Sequence, residues 1–141
     1  MLKKIPKVLS PELVKVLMEM GHGDEILLAD ANYPAETNND QIIRADGLSV
    51  PQILAAILEL MPLDSYSEYQ AILMEVVKGD TTKPVIWEEY KEQIALSFPD
   101  AKIKKLERQK FYEYSKNCSA IIQTGETALY GNLILKKGVI E

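Results

Sequence analysis

An α/β fold is what this sequence predicts: one domain, residues 1–141, with a mostly parallel sheet flanked by helices. Three observations carry that expectation. Helical stripes of apolar residues alternate along the chain with short apolar runs bounded by turn residues. One of those runs, Ile26-Leu27-Leu28-Ala29, is apolar throughout, as a strand covered on both faces must be. No linker, repeat or low-complexity stretch divides the 141 residues, a length that suits a single domain of about 100–150 residues.

Each element has a local reason. Ser10 is placed to cap a helix that starts at Pro11, where proline's missing N–H costs nothing. Leu13, Val16, Leu17 and Met20 follow at i, i+3, i+4 and i+7, and Gly21 is expected to end the helix as its C-cap. The buried run from Ile26 to Ala29 comes next and stops at Asp30. Gln41 to Arg44 reads as a short strand closed by Asp46-Gly47. Ser49 is placed to cap a helix carrying Ile53, Leu54, Ile57, Leu58 and Met61 on one face and ending before Pro62. Ala71 to Val77 reads as a strand, with Lys78-Gly79-Asp80 as its turn. A helix is expected from Pro84 to Ser97, a strand from Ile103 to Glu107 and a short helix from Arg108 to Asn117. Strands at Ser119–Gln123 and Leu133–Leu135, joined by a loop from Thr124 to Asn132, complete the chain.

Composition narrows the partners. The apolar share of 47% and charged share of 26% are those of a folded domain, not a disordered one. Sixteen Lys plus Arg against 21 Asp plus Glu leave a net charge of −5, a poor basis for binding nucleic acid, whose affinity comes mainly from basic surface. The basic run from Lys102 to Lys110 reads as a solvated face. The longest stretch free of ionisable residues other than Tyr and Cys runs only from Gly47 to Leu58, too short for a membrane span of about 20 residues. Met1-Leu2-Lys3-Lys4-Ile5-Pro6 lacks the apolar core of a signal peptide. The expectation is a cytoplasmic protein with no membrane partner. Cys118 and His22 are the only residues of their kinds, which leaves no intrachain disulfide and no zinc site built from Cys and His. Neither G-x-G-x-x-G nor G-x-x-x-x-G-K-[ST] occurs. No cofactor and no metal are expected.

In open α/β sheets ligands bind beyond the carboxyl ends of the strands. That rule selects Asp30, which leaves the first buried strand, and Tyr130 and Asn132, which precede the last. His22 stands between two glycines, which clear side chains from its flanks and widen the backbone's choices. The residues alone favour a second reading, in which Gly21 and Gly23 serve only the turn and His22 is solvated.

Four blocks in order carry a resemblance. Gly21-His22-Gly23-Asp24-Glu25-Ile26 with Ala29-Asp30-Ala31-Asn32-Tyr33-Pro34 resembles the opening of the ribose pyranase / fucose mutarotase family. Ile43-Arg44-Ala45-Asp46-Gly47 is similar to its next block. Phe111-Tyr112-Glu113 and Thr124-Gly125-Glu126, then Tyr130-Gly131-Asn132 with Lys136-Lys137-Gly138, extend the likeness to the C-terminus. The Arg44–Gly47 and Phe111–Glu113 blocks look more like the fucose branch than the ribose branch. The resemblance implies that family's fold. It also implies interconversion of the α and β anomers of L-fucose or a related aldose, with a homo-oligomeric ring or dimer whose sites lie near subunit contacts. His22 takes the position of the family's catalytic histidine and Asp30 that of its sugar-binding aspartate. Arg108 takes that of a basic contact, with Lys105 and Lys110 as nearby alternatives, and Tyr130, Gly131 and Asn132 take those of its sugar-binding segment. The other readings are a D-ribose pyranase, which shares the ring-opening step, and a non-catalytic monosaccharide-binding subunit.

The implied chemistry suits these residues. Exchanging anomers requires opening the ring to the free aldehyde, rotating one C–C bond and closing again. One proton reaches the ring oxygen and another leaves the anomeric hydroxyl, with no redox change and no group transferred. An imidazole, ordinarily titrating near pH 6.5, gives and recovers a proton near neutrality. General acid catalysis contributes roughly 10²–10⁴-fold, which suffices for a reaction that sugars already perform unaided in water.

Overall fold

A computed structural model describes all 141 residues, Met1–Glu141. Its elements follow in chain order as α1 (Pro11–Glu19), β1 (Glu25–Ala29), α2 (Ala35–Asn38), β2 (Ile42–Ala45), α3 (Val50–Leu60), β3 (Ala71–Met74), α4 (Ile86–Ser97), β4 (Ile103–Leu106), α5 (Arg108–Ser115), β5 (Ile121–Thr124) and β6 (Leu133–Lys136). The six strands form one sheet in the order β2-β5-β1-β6-β3-β4. β1 and β2 both run parallel to β5, and β3 runs parallel to β4. β6 runs antiparallel to both β1 and β3 and joins the two parallel halves. The mostly parallel sheet expected from sequence is therefore present, with β6 its one reversed strand.

Alternating side chains divide the core in two. Ile26 and Leu28 of β1, Ala71 and Leu73 of β3, and Leu133 and Leu135 of β6 pack with α1, α3 and α4 in a cluster of 24 buried residues. Leu27, Ala29, Ile72, Met74 and Ile134 face the other way, against Tyr33, Ala35 of α2 and Phe111 of α5, in a cluster of 10. Both faces of β1 are thus covered, and Ile26 to Ala29 are all 0% exposed. The second face is the thinner one because only two short helices shield it.

Local signals explain most boundaries. The Ser10 side chain accepts from the Leu13 N–H, and Pro11 opens α1. Ser49 and Gln52 form a reciprocal capping box at α3. Three expectations need correction. Gly21 is not a left-handed C-cap: α1 ends because Met20 turns to extended backbone, and the positive φ of that turn, 86°, lies at Gly23. Asp24 Oδ2 instead accepts the Gly21 N–H at 2.7 Å. β3 ends at Met74, not Val77, since its partner β4 ends at Leu106 and only the Glu75 N–H continues the ladder. The four-residue α2 has no counterpart among the expected elements, being too short to show a periodic stripe. The remaining strands and helices move by one or two residues at their ends.

Candidate functional site

Five strands point their carboxyl ends to one edge of the sheet, and β6 begins there. Asp30 leaves β1 at this edge, while Asn132 immediately precedes β6. The antiparallel register Leu28↔Leu133 sets them side by side. The Asp30 N–H donates to Asn132 Oδ1 at 2.7 Å, and Asn132 Nδ2 returns a bond to Asp30 Oδ2 at 3.0 Å. The Asn32 N–H donates to Asp30 Oδ1 at 3.0 Å, and Gln123 Nε2 donates to the Asp30 carbonyl at 2.6 Å. Asp30 and Asn132 are 7% and 4% exposed, so the carboxylate is fixed before any ligand arrives. Burial pushes its pKa above the ordinary aspartate range, against the opposing bonds from Asn32 and Asn132.

These residues line a cleft of about 200 Å³ together with Asn32, Tyr33, Met74, Val77, Asp80, Arg108, Tyr112, Leu129 and Tyr130. That volume lies below the ~300–1,000 Å³ of pockets for drug-sized ligands and matches a small ring. Arg108 opens α5 and makes no ion pair within the chain, leaving its donors for a ligand. Lys105 lies elsewhere, its ammonium 4.9 Å from the Trp87 ring centre, and Lys110 borders a separate shallow hollow with Glu107 and Glu113. Of the three basic residues, the cleft receives Arg108.

The Tyr130-Gly131-Asn132 segment is held from behind by α4. Trp87 Nε1 donates to the Tyr130 carbonyl and the Tyr90 hydroxyl to the Gly131 carbonyl, both at 2.8 Å. Tyr130 has φ of 59°, rare for a bulky residue and sustained by these contacts. Its hydroxyl donates to Asp80 Oδ2 at 2.5 Å and accepts the Val77 N–H at 3.3 Å. The bond to Asp80 is the first cause that keeps this phenol's pKa raised. With the hydroxyl engaged, the ring is what Tyr130 offers the cleft. A Cβ on Gly131 would stand 2.9 Å from the Ala128 carbonyl oxygen, so no side chain fits there.

His22 is not part of this cleft. It precedes β1 at the amino edge of the sheet, and roughly 15 Å of strand separates it from Asp30. There its Nε2 meets Asp64 Oδ1 at 2.9 Å, and its ring lies 5.5 Å from that of Tyr66 in an edge-on arrangement. The His22 side chain is 45% exposed and that of Asp64 only 4%. Burial alone raises the Asp64 pKa; the His22 bond, the Tyr66 N–H and the charges of His22 and Lys136 outweigh it and hold the carboxyl below its usual range. A buried carboxylate thus orients an imidazole whose other face is open to the outside.

Asp64 carries no local signal in the sequence, since its partner lies 42 residues away. The Trp87–Tyr90 pair had one: two aromatics with polar tips on the buried face of one helix need partners. A larger hollow of about 650 Å³ lies between the N-terminal segment and α1, lined by Met1, Leu2, Val14 and Met18 among others, and offers no buried polar side chain. No group of three or more His, Cys, Asp or Glu side chains stands close enough to hold a metal ion. No helix is long and apolar enough to cross a membrane.

The model of the RbsD / FucU transport protein family matches residues 3–140. The chain belongs to this family. Among RbsD / FucU relatives, a fucose mutarotase of Danio rerio is 50% identical, with 99% of this chain and 94% of that protein covered. The crystal structure of a fucose mutarotase from Streptococcus pneumoniae in complex with L-fucose superposes with a TM-score of 0.95. Its sequence is 53% identical, and 99% of this chain and 100% of that one are covered. Bacillus subtilis RbsD complexed with D-ribose is more distant, at TM-score 0.71 and 27% identity, covering 94% and 95% of the two chains. The single-domain α/β architecture is thus the one shared across both branches of the family.

Proposed function

We propose that this protein is an L-fucose mutarotase, an isomerase that exchanges the α and β anomers of the free sugar by opening and reclosing its ring. The observation that carries the reading is the Asp30–Asn132 cleft, set in a chain 53% identical to a fucose mutarotase solved with L-fucose. Asp30 accepts from sugar hydroxyls as a preorganised carboxylate, and a charged acceptor holds a hydroxyl more strongly than a neutral one. Arg108 donates to a hydroxyl or to the anomeric oxygen as charge develops there. The Tyr130 ring stacks on a C–H face, and Gly131 keeps the floor open.

His22 serves as the acid from a second copy of the chain. Its distance from Asp30 forbids one copy from supplying both, while its exposure on the opposite edge of the sheet suits delivery to a neighbour's cleft. Such a contact is met by a closed ring, or by a two-fold dimer in which each copy gives its His22 to the other. Asp64 fixes the orientation of the imidazole and stabilises the imidazolium, as a buried carboxylate does for a catalytic histidine. Proton delivery to the ring oxygen breaks the bond from that oxygen to the anomeric carbon; the anomeric hydroxyl gives its proton to solvent water and becomes the aldehyde oxygen. Rotation of the aldehyde and reversal of the steps return the other anomer. The reading entails an acidic cytoplasmic homo-oligomer that needs no added cofactor.

The test is exchange NMR of L-fucose with and without the protein after dialysis against a chelator. Protein-dependent broadening of the two anomeric signals is expected. Broadening with D-ribose alone would move the protein to the pyranase reading, and calorimetric binding without exchange would move it to the binding-subunit reading.

A further inference from the structure

We propose that Val77, Leu129 and Met74 form an apolar corner of the cleft that receives the methyl group of a 6-deoxy sugar. The proposal rests on the reading of the cleft as an L-fucose site. The lining is divided. Asp30, Asn32, Arg108 and Asn132 supply the polar side, and Met74, Val77 and Leu129 supply the aliphatic one. Met74 is 4% exposed and belongs to the smaller core cluster. Val77 and Leu129 are different: they are 37% and 57% exposed and pack into neither core cluster. Folding therefore does not account for two large apolar side chains at this mouth. Tyr130 brings them together, since its hydroxyl accepts the Val77 N–H and Leu129 is its chain neighbour.

The substrate has a matching division. L-fucose carries hydroxyls on C1 to C4 and a methyl on C5, its one substituent with no hydrogen bond to satisfy. A methyl seated in the corner leaves water without cost to any polar group. L-galactose, identical but for a hydroxyl on that carbon, turns a polar group toward the aliphatic wall. D-arabinose keeps the ring hydroxyls and leaves the corner empty. One methylene in an apolar pocket discriminates by about 10–200-fold, and a pocket that merely meets an added hydroxyl by about 10²-fold. A half-open corner belongs at the low end, about tenfold.

The experiment measures affinity by calorimetry and kcat/KM by exchange NMR for L-fucose, L-galactose and D-arabinose. It uses the wild type, Val77→Thr, Leu129→Asn and the double variant, each also run in sedimentation velocity. The expected result is a wild-type preference of about tenfold for L-fucose over both analogues, falling toward parity in the double variant with unchanged sedimentation. Equal wild-type affinity for L-fucose and D-arabinose overturns the corner. So does a double variant that keeps the wild-type preference, or one that weakens all three sugars equally while altering sedimentation, which makes these residues subunit contacts. Selective binding that the variants abolish, in a protein that exchanges no sugar, supports the corner and removes the mutarotase reading instead.

Discussion

His22 and Asp64 stand 2.9 Å apart, and their unequal exposure separates their tasks. His22→Asn removes the proposed acid, so exchange is expected to fall by roughly 10²-fold or more. Stability should change by less than about 1 kcal/mol, as at surface positions, and L-fucose affinity by calorimetry should hold. Asp64→Asn keeps an oxygen for the bond but loses the charge that stabilises the imidazolium; exchange is expected to fall by about 10–10²-fold with affinity again retained. Unchanged exchange in either variant removes that residue from the mechanism. Asp30 gives a pH signature. Its pKa is raised, so its charge is lost on acidification at a pH above the ~3.9 of an ordinary aspartate. L-fucose affinity should fall with pH through that raised value. Stability moves oppositely through the same group: the folded chain binds this proton more tightly than the unfolded one, so acidification between the two pKa values favours folding. Asp30→Asn is expected to weaken binding about tenfold, the equivalent of roughly 1.4 kcal/mol and near the low end for a charged hydrogen bond. It should also flatten the acid limb of the affinity profile; a limb that survives belongs to another group.

Elements hold the cleft through close backbone approaches. A Cβ on Gly125, just past β5, would stand 2.1 Å from the Asp46 carbonyl oxygen, a backbone atom that no rotamer change can move away. Gly125→Ala is therefore expected to destabilise by roughly 2–3 kcal/mol, a Tm loss on the order of 10 °C. Gly47→Ala is its control, because a Cβ there meets nothing within 4 Å. Thermal unfolding of both variants checks the comparison; equal Tm values would mean the loop yields freely. At α3, Ser49→Ala removes one half of a capping box and should cost about 1 kcal/mol.

Across the whole molecule, the sheet separates His22 from the Asp30 cleft, and the proposed mechanism requires subunit assembly to reunite them. Mixing provides the check. His22→Asn carries an intact cleft and Asp30→Asn an intact acid, so each alone should exchange L-fucose poorly. Co-refolded together, they should form interfaces that pair a wild-type cleft with a wild-type His22 and regain a measurable fraction of wild-type exchange. Mixed oligomers no more active than the separate variants would place acid and cleft in the same copy. A monomer in sedimentation velocity at micromolar concentration would remove the assembly altogether.

The residues determined most of the elements, because the signals behind them are local. Ser10 and Ser49 mark helix starts within one turn, and the run from Ile26 to Ala29 is apolar because both its faces are covered. Asp30, Tyr130 and Asn132 stand out in the sequence as candidate site residues because a parallel strand's carboxyl end is a local feature with a general use. Arg108 and Gly131 entered through family likeness. The tertiary structure decided what depends on long-range register. It reversed β6 between two parallel halves, and so set Asn132 against Asp30, 102 residues away. It gave His22 its partner in Asp64 and sent that pair to the opposite edge from the cleft. Periodicity and capping report a residue's neighbours within a few positions; which distant side chains meet is set by how strands order themselves to bury both faces of the sheet.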